Sequence, residues 1–170
     1  MILINSSPKN ALKIFQSFLP ISVPVGVGCL AAVLEREGIE VKIFDEQVED
    51  NIFSKISEYA DKSEKPLIFG FSVLTAALKN AVVLSKELKS RYPDSIVIFG
   101  GIHPTAMPDE VMAYGHIDFV LRGEAEKSLL ELYHCLKSNA DCAKISGLSY
   151  RVDGKVINNP INFMVDNLDS

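Results

Sequence analysis

The 170-residue sequence contains no tryptophan, and none of its apolar runs approaches the roughly 20 residues that a membrane-spanning helix needs. Its three cysteines, Cys29, Cys135 and Cys142, lack C-x-x-C spacing, so the sequence indicates neither a disulfide framework nor a zinc or iron–sulfur site. The apolar start at Met1 has no basic flank and is too short for a signal peptide. We therefore predict a cytoplasmic protein that does not enter a membrane.

Positive charge is also scarce. The chain has 17 Lys and Arg against 22 Asp and Glu, which gives a formal net charge of −5, and the basic residues do not cluster. A nucleic-acid surface needs clustered cations, so nucleic acid is excluded as a partner. The hydrophobic fraction of 48% suffices for a core, and the length fits one domain with a short appendage.

Signatures of self-contained catalysis are missing as well. The sequence has no G-x-S-x-G elbow, and its three histidines lack a spaced acid and nucleophile. His134 falls on a predicted helix and His116 just before a predicted strand, whereas His103 lies in a loop. We predict no catalytic residue and no metal ligand in this chain.

Short apolar runs alternate with amphipathic stretches, a pattern typical of buried parallel strands covered by helices. The runs predict strands over residues 2–5, 40–44, 67–72, 95–99 and 117–121. The amphipathic stretches predict helices over residues 25–37, 50–62, 76–91, 107–114 and 125–138. The predicted fold is a flavodoxin-like, doubly wound α/β domain with a five-stranded parallel sheet in the order 2-1-3-4-5.

The end of the chain has a different pattern. Residues 148–151 and 156–157 read as two short strands joined by an Asp153-Gly154 turn, which predicts a small C-terminal β-hairpin. We accordingly assign residues 1–142 to the α/β domain and residues 143–170 to the hairpin and a linker.

Ligands of such sheets bind at the carboxyl ends of the strands, and the loops there carry small or polar residues. After strand one, Asn5-Ser6-Ser7-Pro8 leads into a long, partly apolar loop that reaches Pro24, and a connection of this length favours binding. Ser72-Val73-Leu74-Thr75 follows strand three, Gly100-Gly101-Ile102-His103-Pro104-Thr105 follows strand four, and Arg122-Gly123-Glu124 follows strand five.

Two alternative functions stay open. Gly26-x-Gly28-x-x-Ala31, with Asp45 at the end of strand two, matches a dinucleotide fingerprint, although these glycines come some twenty residues too late to form the turn after strand one. The other alternative is a non-enzymatic, partner-binding flavodoxin-like module, since a fold does not fix a function.

Five segments together resemble a known family. They are Pro24-x-Gly26-x-Gly28-x-Leu30-Ala31, Phe71-Ser72-Val73-Leu74-Thr75, the loop from Phe99 to Thr105, Val120-Leu121-Arg122-Gly123-Glu124-Ala125-Glu126, and the closing Ile145-x-Gly147-Leu148-Ser149-Tyr150-Arg151 with Asn159-Pro160 and Leu168-Asp169. The chain is similar over nearly its whole length to the N-terminal cobalamin-binding domain of radical S-adenosylmethionine (SAM) proteins, including magnesium-protoporphyrin ester cyclase-like and methyltransferase members.

The resemblance implies that the chain binds cobalamin. The implied binding residues lie in the loops described above: Ser6, Ser7, Pro8, Pro24, Gly26, Gly28, Ser72, Leu74, Thr75, Gly100, Gly101, His103, Pro104, Thr105, Arg122, Gly123 and Glu124. It further implies that Ser72 and Thr75 bond the nucleotide tail of the cofactor and that the two glycines Gly100 and Gly101 admit it at close range.

Two departures from the wider family pattern qualify this resemblance. The D-x-H-x-x-G motif that supplies a histidine to cobalt is absent, because Asn5-Ser6-Ser7-Pro8 stands in its place. This implies base-off cobalamin without a histidine ligand. The C-x-x-x-C-x-x-C motif is also absent. SAM and a 4Fe-4S cluster would then belong to a downstream radical SAM domain, the partner expected in the parent enzyme.

Overall fold

The structure is a computed structural model that describes residues 1–8, 21–138 and 140–162. Seven strands form one sheet: β1 (Ile2–Asn5), β2 (Lys42–Asp45), β3 (Ile68–Ser72), β4 (Ile96–Gly100), β5 (Phe119–Leu121), β6 (Leu148–Val152) and β7 (Lys155–Asn158). The helices are α1 (Val25–Arg36), α2 (Ile52–Lys62), α3 (Leu78–Arg91), α4 (Ile102–Ala106), α5 (Pro108–Met112) and α6 (Glu126–Ser138), with a 3-10 turn over Thr75–Ala77.

The order of the sheet is β2-β1-β3-β4-β5-β6-β7. Strands β1 to β5 are parallel, which confirms the predicted flavodoxin-like α/β class and the order 2-1-3-4-5. The predicted C-terminal hairpin is also present, with Asp153 (φ 49°) and Gly154 (φ 76°) in its turn. This hairpin adds β6 and β7 to the same sheet, antiparallel to β5 and to each other, so the sheet has seven strands.

Each parallel strand buries both of its faces because alternate apolar side chains point to opposite sides of the sheet. On one side, Ile4, Phe71 and Phe99 pack against buried residues of α2 and α3. On the other side, Leu3 and Ile98 pack against α1 and α6. The helices therefore cover both faces and leave the strand ends as the edges of the layered structure.

The region after β4 differs from the prediction. A single helix over residues 107–114 was expected, but the structure has α4 and α5, separated at Met107 (φ −131°, ψ 57°). Proline disfavours helical backbone in the residue before it, so Pro108 interrupts the helix at Met107. Pro108 is itself the first residue of α5, a position that proline favours. The segment after Gly101 was interpreted as a loop, but Pro104 lies in the first turn of α4, where proline is tolerated.

Candidate functional site

The loops after β1, β3 and β4 meet at the carboxyl edge of the sheet and are bonded to one another through their backbones. The amide of Ser6 donates to the carbonyl of Ser72 at 3.1 Å, and the amide of Val73 donates to the carbonyl of Gly100 at 2.9 Å. The amide of His103 donates to the carbonyl of Val73 at 3.2 Å. These bonds extend the parallel ladder past the strands and give the edge a fixed shape.

A cavity of about 140 Å³ lies below this edge, between the sheet, α1 and α6. Six of the predicted binding residues line it: Gly26, Ser72, Gly100, Gly101, Gly123 and Glu124. Gly70 and apolar side chains including Leu3, Leu30, Ile98 and Leu129 complete the wall. The cavity is therefore narrow and largely apolar, and at each glycine the backbone itself forms the wall.

Two of these glycines have different reasons to lack a side chain. A Cβ on Gly26 would meet nothing within 4 Å, so this glycine leaves space open along the cavity. Gly101 has a φ of 96°, and a Cβ there would lie 2.9 Å from the amide nitrogen of Val73. Gly101 is required by the backbone, whereas nothing in the fold itself requires Gly26.

The predicted Gly28 lies on α1 but does not line the cavity, and a Cβ there would also meet nothing within 4 Å. Pro24 precedes the first turn of α1. The apolar loop predicted to bind ligand, with Phe15, Phe18 and Leu19, lies outside the described residues, as do Leu168 and Asp169.

Ser6 and Ser7 are buried directly after β1, and Pro8 is half-buried. Among the described residues, the hydroxyl of Ser6 has no hydrogen-bond partner. The Ser7 amide donates to Oε2 of Glu46 at 2.8 Å, and Nδ2 of Asn80 donates to the Ser7 carbonyl at 2.9 Å. The sequence analysis missed Glu46 and Asn80 because they come from distant segments, and no local pattern signals such contacts.

His103 is buried. Its Nδ1 lies 3.3 Å from Oγ1 of Thr75, and its Nε2 lies 3.8 Å from Oε2 of Glu110. Pro104 beside it is buried as well. Neither Thr75 nor His103 is among the residues that line the cavity. Leu74, between β3 and Thr75, is half exposed.

The loop after β5 closes one end of the cavity. The amide of Gly123 donates to Oγ1 of Thr105 at 3.0 Å, which links this loop to α4. The guanidinium of Arg122 donates through Nη2 to the carbonyl of Asn159. Burial lowers the pKa of Arg122 from its ordinary value, and the nearby Asp109 opposes this shift.

Large apolar side chains are exposed in the segments next to the cavity-lining residues Gly26, Ser72 and Gly101, and we call them the rim. Ile21 is 72% exposed, Val23 81% and Ile102 68%. Val25 at the start of α1 and Leu74 after β3 extend this rim. Exposed apolar side chains next to a cavity are typical of ligand sites, so the edge suits a bulky ligand with an apolar face above and a slender arm in the cavity.

The described segments 1–8, 21–138 and 140–162 contain no group of three or more His, Cys, Asp or Glu residues that could hold a metal ion. None of the helices described there is long and apolar enough to span a bilayer. The contacts that this edge offers are hydroxyls, backbone groups, apolar side chains and the carboxylates of Glu124 and Glu126, which line the cavity.

Comparison with known proteins identifies relatives. The chain is 36% identical over 147 residues to an uncharacterized methyltransferase of Pyrococcus horikoshii, covering 86% of this chain and 32% of that protein. It is 31% identical over 156 residues to the anaerobic magnesium-protoporphyrin IX monomethyl ester cyclase of Rubrivivax gelatinosus, covering 86% of this chain and 27% of that protein. The chain thus spans about a third of the length of the curated relatives it matches.

Solved structures and a family model agree with these relatives. The radical SAM methyltransferase TsrM from Kitasatospora setae matches with a TM-score of 0.72 and 26% identity, over 94% of this chain and 29% of that one. The cobalamin-dependent SAM radical enzyme OxsB, with aqua-cobalamin bound, shares the fold with a TM-score of 0.79 and 23% identity, over 96% of this chain and 22% of that one. The model of the B12 binding domain matches residues 13–133, and the chain therefore belongs to the B12-binding domain family.

Proposed function

We propose that this chain is the cobalamin-carrying part of a longer radical SAM protein, either a methyltransferase or a cyclase. Two observations support the longer protein: the chain covers about a third of its relatives, and those relatives are named as methyltransferases and a cyclase. SAM and the 4Fe-4S cluster would belong to the domain that follows. Residues 143–170 would lead from residues 1–142 toward that domain, and this chain alone would not catalyse a reaction.

The observation that carries the proposal is the glycine-lined cavity below an apolar rim. Gly26 leaves space that a side chain would fill, and the Ser6 hydroxyl is buried without a partner among the described residues. The open slot fits the nucleotide tail of cobalamin, which is slender and rich in hydrogen-bonding groups. Ser6 does not line the slot, but its amide bonds the carbonyl of Ser72, which does. The residues present therefore fit the cofactor. A bound cobalamin would supply a redox-active cobalt centre.

In this proposal the tail enters the cavity between Gly26, Ser72 and Gly100, and the corrin ring covers Val23, Leu74 and Ile102. Burial of exposed apolar side chains under the corrin contributes roughly 25 cal/mol for each Å² removed from water. The Thr75 hydroxyl would have to give up its contact with His103 to bond the tail. Ser72 lines the cavity and is therefore the stronger candidate for a tail contact.

The proposal also places no protein histidine on the cobalt. The segment that replaces the histidine motif, Asn5-Ser6-Ser7-Pro8, offers hydroxyls and an amide, and the Asn5 amide donates to Oδ1 of Asp45 at 2.9 Å. His103 is held by Thr75 beside the cavity. The cofactor would therefore be bound base-off, with water or no ligand on the lower face of the cobalt.

The dinucleotide alternative is less well supported by the geometry. Gly26 and Gly28 lie within α1, so they do not form a turn that joins β1 directly to a helix. Asp45 already accepts hydrogen bonds from Asn5 and from the amide of Gln47. Oδ1 of Asp45 therefore serves to order the loop after β2.

Reconstitution tests the proposal directly. The protein is incubated with hydroxocobalamin, desalted and examined for retained corrin absorbance, with a parallel titration of NAD⁺. We expect corrin to be retained and NAD⁺ to have no effect. Loss of all corrin on desalting, with NAD⁺ binding in its place, would refute cobalamin carriage.

A matched pair of variants tests the role of the cavity. Gly26→Leu projects a side chain into the slot, whereas Gly28→Leu adds the same side chain two residues along α1, outside the cavity. We expect Gly26→Leu to abolish corrin retention and Gly28→Leu to leave it unchanged. Equal retention by both variants would show that the tail does not occupy this cavity.

A further inference from the structure

A short segment after β7 packs against the loop that closes the cavity. We call residues 159–162 the strap; they lie beyond residues 13–133, the part that matches the family model. The amide of Asn159 donates to the carbonyl of Leu148 at 2.9 Å, and the carbonyl of Pro160 accepts from the amide of Gly147 at 3.0 Å. The amide of Asn162 donates to Oγ of Ser146 at 2.8 Å. The strap is therefore bonded along its length to the turn before β6.

The side chain of Asn159 reinforces this attachment. Its Nδ2 donates to the carbonyl of Ala143 at 3.0 Å and to that of Ile145 at 2.8 Å. The residue is only 9% exposed, so these bonds lie largely out of water, where leaving their partners unsatisfied is costly. The Ser128 hydroxyl of α6 donates to the carbonyl of Ser146 at 2.8 Å, which connects the same turn to the helix beside the cavity.

The strap and this turn together hold the loop over residues 122–124. The amide of Arg122 donates to the carbonyl of Gly147 at 3.0 Å, and its guanidinium donates to the carbonyl of Asn159. The side chain of Ile161 lies over Gly123, since a Cβ on that glycine would be 3.5 Å from Cγ2 of Ile161. Gly123 has a φ of 74°, a conformation that glycine adopts without strain but does not fix by itself.

Gly123 and Glu124 form part of the cavity wall, so Ile161 lies on the outer side of the same wall. A third attachment of the loop is the hydrogen bond from the Gly123 amide to Oγ1 of Thr105 in α4. We propose that the strap holds the loop over residues 122–124 in the shape that closes the cavity. Residues 159–162 are thus positioning residues of the cofactor site, an inference that rests on the proposed cobalamin binding.

Two pairs of neighbouring variants test this proposal in the full chain. Asn159→Ala removes the buried anchor, and its control Asn158→Ala removes only an exposed bond to Asp109. Ile161→Ala exposes Gly123, and its control Ile157→Ala shortens an apolar side chain on the edge strand β7. We expect the dissociation constant for hydroxocobalamin to rise about tenfold in Asn159→Ala and Ile161→Ala and to stay unchanged in the controls. Ile161→Leu should restore binding.

Hydrogen exchange provides a readout that does not depend on the variants folding. If the strap and the cavity are coupled, the coupling is reciprocal, so cobalamin must slow exchange in the strap. In the wild type we expect slower exchange of the Gly147 and Asn162 amides, which bond the strap to its turn, when hydroxocobalamin is added.

The outcomes separate the two proposals. If the wild type does not bind hydroxocobalamin, the proposed function itself fails. If the wild type binds but the Gly147 and Asn162 amides exchange at the same rate with and without cofactor, the strap does not position the site. Unchanged affinity in folded Asn159→Ala and Ile161→Ala would overturn the strap proposal in the same way.

Discussion

Nδ1 of His103 lies 3.3 Å from the hydroxyl of Thr75, and Nε2 is buried 3.8 Å from Oε2 of Glu110, so the histidine that follows β4 is enclosed by other side chains of the protein. From this contact we predict that His103 does not bind cobalt. The reduced, cobalt(II) form of the reconstituted protein should show no triplet splitting from a histidine nitrogen in its electron paramagnetic resonance spectrum, and His103→Ala should leave the spectrum unchanged. A nitrogen splitting that disappears in His103→Ala would show that the histidine ligates the metal.

A second prediction concerns the adjacent glycines after β4. Gly101→Ala should lower the free energy of unfolding by about 1–3 kcal/mol, because its φ of 96° is strained for alanine and the new Cβ would lie 2.9 Å from the Val73 nitrogen. In Gly100→Ala the nearest atom, the Leu121 carbonyl oxygen, is 3.4 Å away, so the loss should be smaller. Urea unfolding of the two cofactor-free variants measures the difference. Equal losses would contradict this assignment of the strain to Gly101.

The third prediction is a pH dependence of stability that arises from His116. Its Nε2 lies 2.9 Å from the hydroxyl of Ser85, and its pKa is lowered from 6.5 by burial first and then by Lys86, with Asp118 opposing. The unfolded chain therefore binds a proton more readily than the folded one. His116 should not reduce the free energy of unfolding above pH 6.5. This free energy should fall as the pH drops from 6.5 toward the lower pKa of the folded state.

Unfolding in urea between pH 7.5 and pH 5 tests this effect. The variant His116→Gln should show a weaker loss of stability on acidification than the wild type. His134→Gln is the control, since His134 is exposed on α6, and it should behave like the wild type. Identical pH profiles for all three proteins would exclude His116 as the source.

The fourth prediction concerns thiol reactivity. Burial and the neighbouring Cys135 raise the pKa of Cys142 to about 12, whereas Cys29 is exposed on α1. Only about one in ten thousand Cys142 thiols would be ionised at pH 8, and the thiolate is the reactive form. Brief treatment with iodoacetamide at pH 8, followed by peptide mass spectrometry, should modify Cys29 and spare Cys142. Rapid alkylation of Cys142 in the folded protein would contradict the raised pKa.

The sequence alone was sufficient to predict the parallel sheet, because buried parallel strands are continuous apolar runs. It also predicted where α1 ends, because Gly38 is a typical residue after a helix. It did not predict α4, since Gly101 and Pro104 are typical of loops and helix formation there depends on the packing of His103 and Pro104 against the sheet. It also gave no sign that the C-terminal hairpin would pair with β5. Pairing between strands distant in sequence is a property of tertiary packing.

For the site, the sequence correctly placed the loops at one edge but did not separate residues that face the cavity from residues that support it. Gly26 and Ser72 line the cavity, whereas His103 and Thr75 contact each other beside it. The difference depends on side-chain direction, which a one-dimensional pattern does not contain. The supporting contacts of Glu46 and Asn80 with Ser7 are likewise visible only in three dimensions.

The central position of β1 has a consequence for how the domain is made in the cell. β1 is synthesised before both of its neighbours in the sheet, β2 and β3, so its backbone is paired on both sides only after Ser72 has been synthesised. The cavity needs more of the chain still, because Leu3 at one side faces Leu129 at the other. Contacts between segments so distant in sequence form slowly. β1 must therefore stay unaggregated while some 120 further residues are translated, about ten seconds at ordinary rates of synthesis.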